Sequence, residues 1–143
     1  MKEIMISIQP KWVEKIMTLA KRWEMRKTMP KEKGPFRCFI YQTENGGVVG
    51  EFVCDAFTDV EPSELTSKRI LADTQLTKQE ALDYAAGKAV YLWRIRSLVD
   101  YPEPKPLSAY GLARPPQSWC YVKGGDPDAE NQCATDSAHA DEM

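Results

Sequence analysis

Lys21-Arg22-Trp23-Glu24-Met25-Arg26-Lys27 places five charges around two large apolar side chains. If the stretch after Lys21 is extended, its side chains alternate between two faces. Arg22, Glu24 and Arg26 then share one face, and Trp23 and Met25 share the other. The first face holds a carboxylate between two guanidiniums with an ammonium at its entrance, which suits a polyanion or a polar base. A lysine wedged between a core and two arginines loses its proton more readily, through desolvation and like charge. A neutral amine at Lys21 would be a general base. Glu24 would hold Lys21 and Arg26 in place or accept a base amino group. Lys21 and Glu24 are therefore the candidate catalytic pair, and Arg22 and Arg26 are candidate ligand contacts. The plainer alternative is a solvated strand with ordinary surface ion pairs, each worth little.

Aromatic rings supply the other half of a nucleotide site. Tyr41, Trp93, Tyr110 and Trp119 fall on expected strands or near loop ends, where a ring can stack on a base. Packing in a core is the alternative for each. In Arg114-Pro115-Pro116-Gln117-Ser118-Trp119, a rigid turn is followed by several polar groups, so Arg114 and Ser118 join the candidates. Other chemistries are excluded by residue type. The only histidine, His139, lies in the polar C-terminal stretch, so the body cannot build a Ser/His/Asp or Cys/His arrangement. The phosphate-loop and dinucleotide glycine patterns are absent. Cys38, Cys54, Cys120 and Cys133 are widely spaced and lack metal-ligand pairing, so no metal and no cofactor is expected.

The elements that must position these residues follow from periodicity. Ile4, Ile6 and Ile8 alternate as a first strand. Pro10 starts a helix whose apolar stripe runs through Trp12, Val13, Ile16, Met17, Leu19 and Ala20, ending near Lys21 at the negative end of the helix dipole. Residues 28–35 read as a basic loop, 36–43 and 48–57 as a hairpin around Asn45-Gly46-Gly47, with Gly50 marking a bulge or close approach. A helical excursion follows. Pro62-Ser63-Glu64-Leu65 can begin a short helix, and Thr77-x-x-Glu80 is a capping box for a helix over 78–86. Residues 89–99 read as one long strand, and 117–123 as the last. The three prolines of 100–106 exclude regular central sheet. This order predicts an α+β fold, a small and mostly antiparallel β-barrel with peripheral helices.

Lys21-x-x-Glu24-x-Arg26, between a helix and a strand, resembles the Gly-x-Lys-x-x-Glu-x-Arg motif of the ASCH domain family. That family is similar in fold to the RNA-binding PUA domains. The resemblance covers roughly residues 4–123 and implies a PUA-like barrel with a charged cleft around Lys21, Glu24 and Arg26. Some ASCH-like proteins are amidohydrolases of N4-acetylcytidine and use the motif lysine, a threonine where Glu24 stands here, and a distal glutamate. Others resemble ribonucleases acting through the lysine. This chain has Leu19 in place of the motif glycine, and Glu24 in place of the threonine. Near the corresponding distal helix stand Asp73 and Thr74, with no glutamate.

Composition is consistent with this reading. A chain of 143 residues, 43% hydrophobic and 28% charged, fits one globular domain. Residues 124–143 hold six acids and no Lys or Arg, and read as a disordered tail after a domain at 1–123. Without them the body holds 19 basic and 15 acidic residues, and residues 1–40 alone hold ten and four. Positive charge thus gathers around the motif, as in a nucleic-acid footprint. No apolar run reaches membrane-spanning length and no leader peptide is visible, so a cytoplasmic monomer with no membrane partner is expected. The reading is an RNA- or nucleotide-binding domain. The alternatives are a metal-independent hydrolase using Lys21 on the same cleft, and a protein-interaction domain.

Overall fold

In the computed structural model, which describes residues 1–122, the alternating isoleucines form β1 (Lys2–Ile8). Ile4, Ile6 and Ile8 are fully buried with the main core, and Met5 is equally buried in a second cluster. A strand covered on both faces belongs inside a sheet. β1 pairs in parallel with β3 (Phe36–Gln42) and antiparallel with β8 (Trp119–Tyr121). β3 leads to β4 (Gly47–Cys54), and β4 pairs with β7 (Arg96–Lys105), giving the order β7-β4-β3-β1-β8. A second sheet, β2-β6-β5, contains β2 (Trp23–Arg26), β6 (Val90–Arg94) and β5 (Phe57–Val60). The fold is α+β, and only the β1–β3 ladder among the described residues is parallel. The strands divide between two sheets, and no closed barrel ladder joins them among the described residues.

Three helices cover these sheets among the described residues: α1 (Pro10–Met17), α2 (Lys68–Thr74) and α3 (Lys78–Ala85). Pro10 opens α1, and Trp12, Val13 and Ile16 bury its apolar stripe. Leu19 then turns the chain with φ 66°, the left-handed conformation in which a glycine is at ease. Ser67 caps α2 by accepting from the Ile70 N–H at 3.2 Å. The expected capping box holds α3: Thr77 Oγ1 accepts from the Glu80 N–H at 3.1 Å, and Glu80 Oε1 from the Thr77 N–H at 2.9 Å.

Several boundaries differ from expectation: the helix expected to end near Lys21 stops at Met17, so Leu19 leaves the apolar stripe for an exposed left-handed turn. The strand expected over 48–57 ends at Cys54, and β5 resumes at Phe57 in the other sheet. The strand expected over 89–99 breaks at Ile95, whose N–H leaves the ladders and bonds Arg22 O at 2.9 Å. Beyond the break, β7 runs through Pro102 and Pro104 as the outer strand of its sheet, where prolines cost no central ladder bond. Gly50 is the close approach that its position suggested: a Cβ there would meet Val99 O at 2.4 Å and Met17 Cε at 2.7 Å. Lys123 and the acidic stretch 124–143 lie outside the described residues.

Candidate functional site

The chain around Lys21 is clamped from three sides. The Lys21 N–H bonds Lys15 O in α1 at 2.9 Å, the Arg22 N–H bonds Asp73 O in α2 at 2.8 Å, and Arg22 O accepts from Ile95. The Lys21 side chain then turns inward. Its Nζ donates to Thr74 O at 2.7 Å, lies 3.2 Å from Glu24 Oε1, and sits 5.0 Å from the centre of the Trp12 ring. The expected role of Lys21 at the end of α1 is therefore corrected: the ammonium meets the C-terminal end of α2, because the Leu19 turn directs it away from its own helix.

Alternation along β2 puts Glu24 and Arg26 on one face, as expected. Glu24 Oε2 accepts from Arg26 Nε at 2.8 Å and lies 2.7 Å from Nη2. Arg26 Nη2 also donates to Ser7 O at 2.7 Å, and Nη1 to Ser118 Oγ at 3.1 Å. Ser7 Oγ in turn donates to Pro116 O at 2.6 Å. The guanidinium thus ties β2 to β1 and to the segment entering β8. The solvated-strand alternative is overturned: the side chains of Lys21, Glu24 and Arg26 have no exposed surface.

Burial changes what these charges do. Taking ions from water costs several kcal/mol each, and pairing recovers it only with good geometry. Here one carboxylate serves two cations. Burial holds Lys21 below the ordinary lysine value; Glu24 pulls it back up, and Arg26 pushes it down again. Glu24 Oε1 has the ammonium beside it but no hydrogen bond. The arrangement supplies a lysine biased toward its neutral form and a carboxylate that holds it in place. A cavity of about 670 Å³ has Lys21 and Arg22 in its wall.

The other candidates fall into separate places. Ser118 joins the triad, and Arg22 stays exposed beside it. Trp93 and Trp119 sit in the core with ring centres 5.6 Å apart. Both indoles bond Thr28, Trp93 Nε1 to its carbonyl at 3.1 Å and Trp119 Nε1 to its hydroxyl at 2.9 Å. They fasten the start of the basic loop rather than present a stacking face. Tyr41 and Tyr110 belong to the cluster with Met5 on the opposite side of the five-stranded sheet, where Phe39 and Tyr110 rings lie 4.6 Å apart. Arg114 is exposed in the loop before Pro116. Ser7 is the contributor that the sequence reading missed; the one polar side chain inside the isoleucine run was its signal. Among the described residues no group of three potential ligands could hold a metal ion, and no helix is long and apolar enough to cross a membrane.

No family model and no curated protein matches the sequence. Solved structures do match the fold. An ASCH protein from Zymomonas mobilis superposes with a TM-score of 0.75 at 23% identity, over 85% of this chain and 88% of that one. A variant of that protein with a tyrosine-to-phenylalanine change gives 0.74 at 23% identity, over 86% and 91%. A serine-to-alanine variant gives 0.74 at 23%, over 85% and 89%.

Proposed function

From a chain with the fold of ASCH proteins, we propose a domain that binds RNA or a nucleotide, with the cleft around Lys21, Glu24 and Arg26 as its polar centre. The observation that carries this reading is the position of Lys21, held against Glu24 and the Trp12 ring yet in the wall of the cavity of about 670 Å³ beside the exposed Arg22. An anionic ligand in that cavity would meet the Lys21 amine and the Arg22 guanidinium, with Glu24 holding Lys21 in place from behind. The PUA-like barrel and a cytoplasmic location belong to the same reading. Cys54, pushed up to about 12 by burial, is an unreactive thiol and takes no part in the proposed chemistry. The test is binding of short single-stranded RNA across a salt series. Affinity should fall steeply with salt, and Lys21→Met should weaken it by about one ionic contact. No binding at low salt would remove the reading.

A second reading is hydrolysis on the same cleft, favoured by the burial that biases Lys21 toward the neutral amine. Lys21→Arg keeps the charge but removes a usable base. Under this reading turnover of a modified nucleoside or RNA disappears in Lys21→Arg while binding survives. Full turnover in that variant would end it.

A further inference from the structure

The outer side of the same segment carries a different feature. The end of α1, the start of β2 and the β6–β7 junction surround the open cavity of about 670 Å³. Ile16, Trp23, Ile95 and Leu98 give it an apolar floor, all buried or half-buried. Four exposed arginines, Arg22, Arg69, Arg94 and Arg96, line the same cavity. Asp73 is the carboxylate in the wall, 3.9 Å from Arg69, and Arg96 pairs with Asp55 outside it. Arg22 and Arg94 form no ion pair among the described residues, so the wall keeps a net positive charge.

Trp23, Arg69 and Asp73 also line an adjoining cavity of about 410 Å³, together with Thr58, Ser67 and the acidic Glu64. Trp23, Arg69 and Asp73 therefore lie in the walls of both spaces, which neighbour one another as a track of two cavities. Two residues of the larger wall hold left-handed backbone without being glycine, Leu19 at φ 66° and Ser97 at φ 52°. Such conformations cost free energy and persist only where surrounding contacts impose them. Here they keep Leu19 two-thirds exposed at the rim.

We infer that this track is a surface site for single-stranded nucleic acid, with backbone phosphates on Arg22 and Arg94 and a base against Trp23. Guanidiniums without an ion pair among the described residues, beside a partly buried indole in the cavity wall, are the two elements of such grooves: charge that follows the backbone and a ring that stacks on any base. A mononucleotide would occupy only one of the two neighbouring cavities. An acidic peptide would satisfy the arginines but leave the Trp23 ring without a planar partner. The inference rests on the proposed reading for its ligand class, yet it places the contacts on residues that the triad does not use.

The experiment is fluorescence anisotropy of a labelled ten-nucleotide oligouridylate with the full chain across a salt series. Arg22→Gln and Arg94→Gln should each reduce the slope of log affinity against log salt by about 0.7, one single-strand phosphate contact. Trp23→Leu should weaken binding by roughly 5- to 100-fold, the range for losing one stacked base. Lys88→Gln, in neither cavity wall, should leave the slope unchanged. Both arginines are exposed, so melting curves of their variants should match the parent. An unchanged slope in the Arg22→Gln/Arg94→Gln double variant would overturn the inference. So would polyglutamate binding as tightly as oligouridylate, or no oligouridylate binding at low salt. Dependence on Lys21 without dependence on the arginines sinks the track and leaves the triad reading; the reverse result does the opposite.

Discussion

Residues 21–26 present the same side-chain types to two environments, and the chemistry diverges. On the inner side Lys21, Glu24 and Arg26 are sealed together, and the three nitrogens of Arg26 reach Glu24, Ser7 and Ser118. On the outer side Arg22, with Arg94 from β6, stands in solvent without a carboxylate partner among the described residues. Inner charges are coupled to folding, because desolvation makes an unpaired charge costly. Outer charges are nearly free of the fold and are available to a ligand. The contrast teaches that a charged residue's part in stability and its part in recognition separate by burial, even between adjacent positions.

The largest expected effect tests the inner side. Glu24→Gln keeps the shape but leaves two buried cations without a carboxylate, and should cost about 3–5 kcal/mol by denaturant unfolding. A loss below about 1 kcal/mol would mean that the triad is solvated in solution. Next, Arg26→Lys keeps the charge but cannot reproduce the fork reaching Glu24, Ser7 and Ser118; a loss of roughly 2–3 kcal/mol is expected.

The third test uses pH. The folded value of Lys21 lies below its ordinary 10.5, because burial disfavours the ammonium. Between the two values the unfolded chain binds more protons, so this group's contribution rises with pH. It is fully present above 10.5 and is lost as pH falls through the folded value. The stability of the parent relative to Lys21→Met should therefore increase from neutral pH toward 10.5; a flat difference would show that Lys21 is not desolvated.

Smaller effects belong to the outer side. Leu19→Gly relieves a left-handed leucine but adds freedom to the unfolded chain, and should change stability by no more than about 1 kcal/mol, in the stabilising direction. A clear destabilisation would show that the exposed leucine packs on something. Arg94→Gln should stay within about 0.5 kcal/mol of the parent; a larger loss would erase the distinction between the two sides.

Local rules made part of this legible in the sequence. The spacing of Glu24 and Arg26 gave their shared face, Thr77 and Glu80 gave the start of α3, and Gly50 marked the close approach of β7. Period-two spacing says which residues share a face, but not what covers it. The cover of the triad comes from Ser7, Thr74 and Ser118, and Ser118 is 92 residues from Arg26. No local pattern carries that information. The arginine track was hidden for a related reason. Arg94 and Arg96 read as one face of one strand, whereas the break at Ile95 assigns them to different sheets that meet at a single cavity. Tyr41 and Tyr110 were read for their ring chemistry, but the second hydrophobic cluster claims them.

The position of β1 between β3 and β8 has a consequence for synthesis. β1 finds its second neighbour at residues 119–121, far along the chain, with Ile6 opposite Trp119 and Ile4 opposite Tyr121. A ribosome releases the N-terminus first. Until the segment around Ser118 emerges, β1 offers a bare edge to whatever strand is nearby, the usual template for mispairing. Arg26 meanwhile lacks its hydroxyl partner. The ionic centre is thus completed only after the segment around Ser118 has been made, which keeps a shorter nascent chain from presenting a finished site and makes the pairing of β8 the step that commits this edge of the sheet.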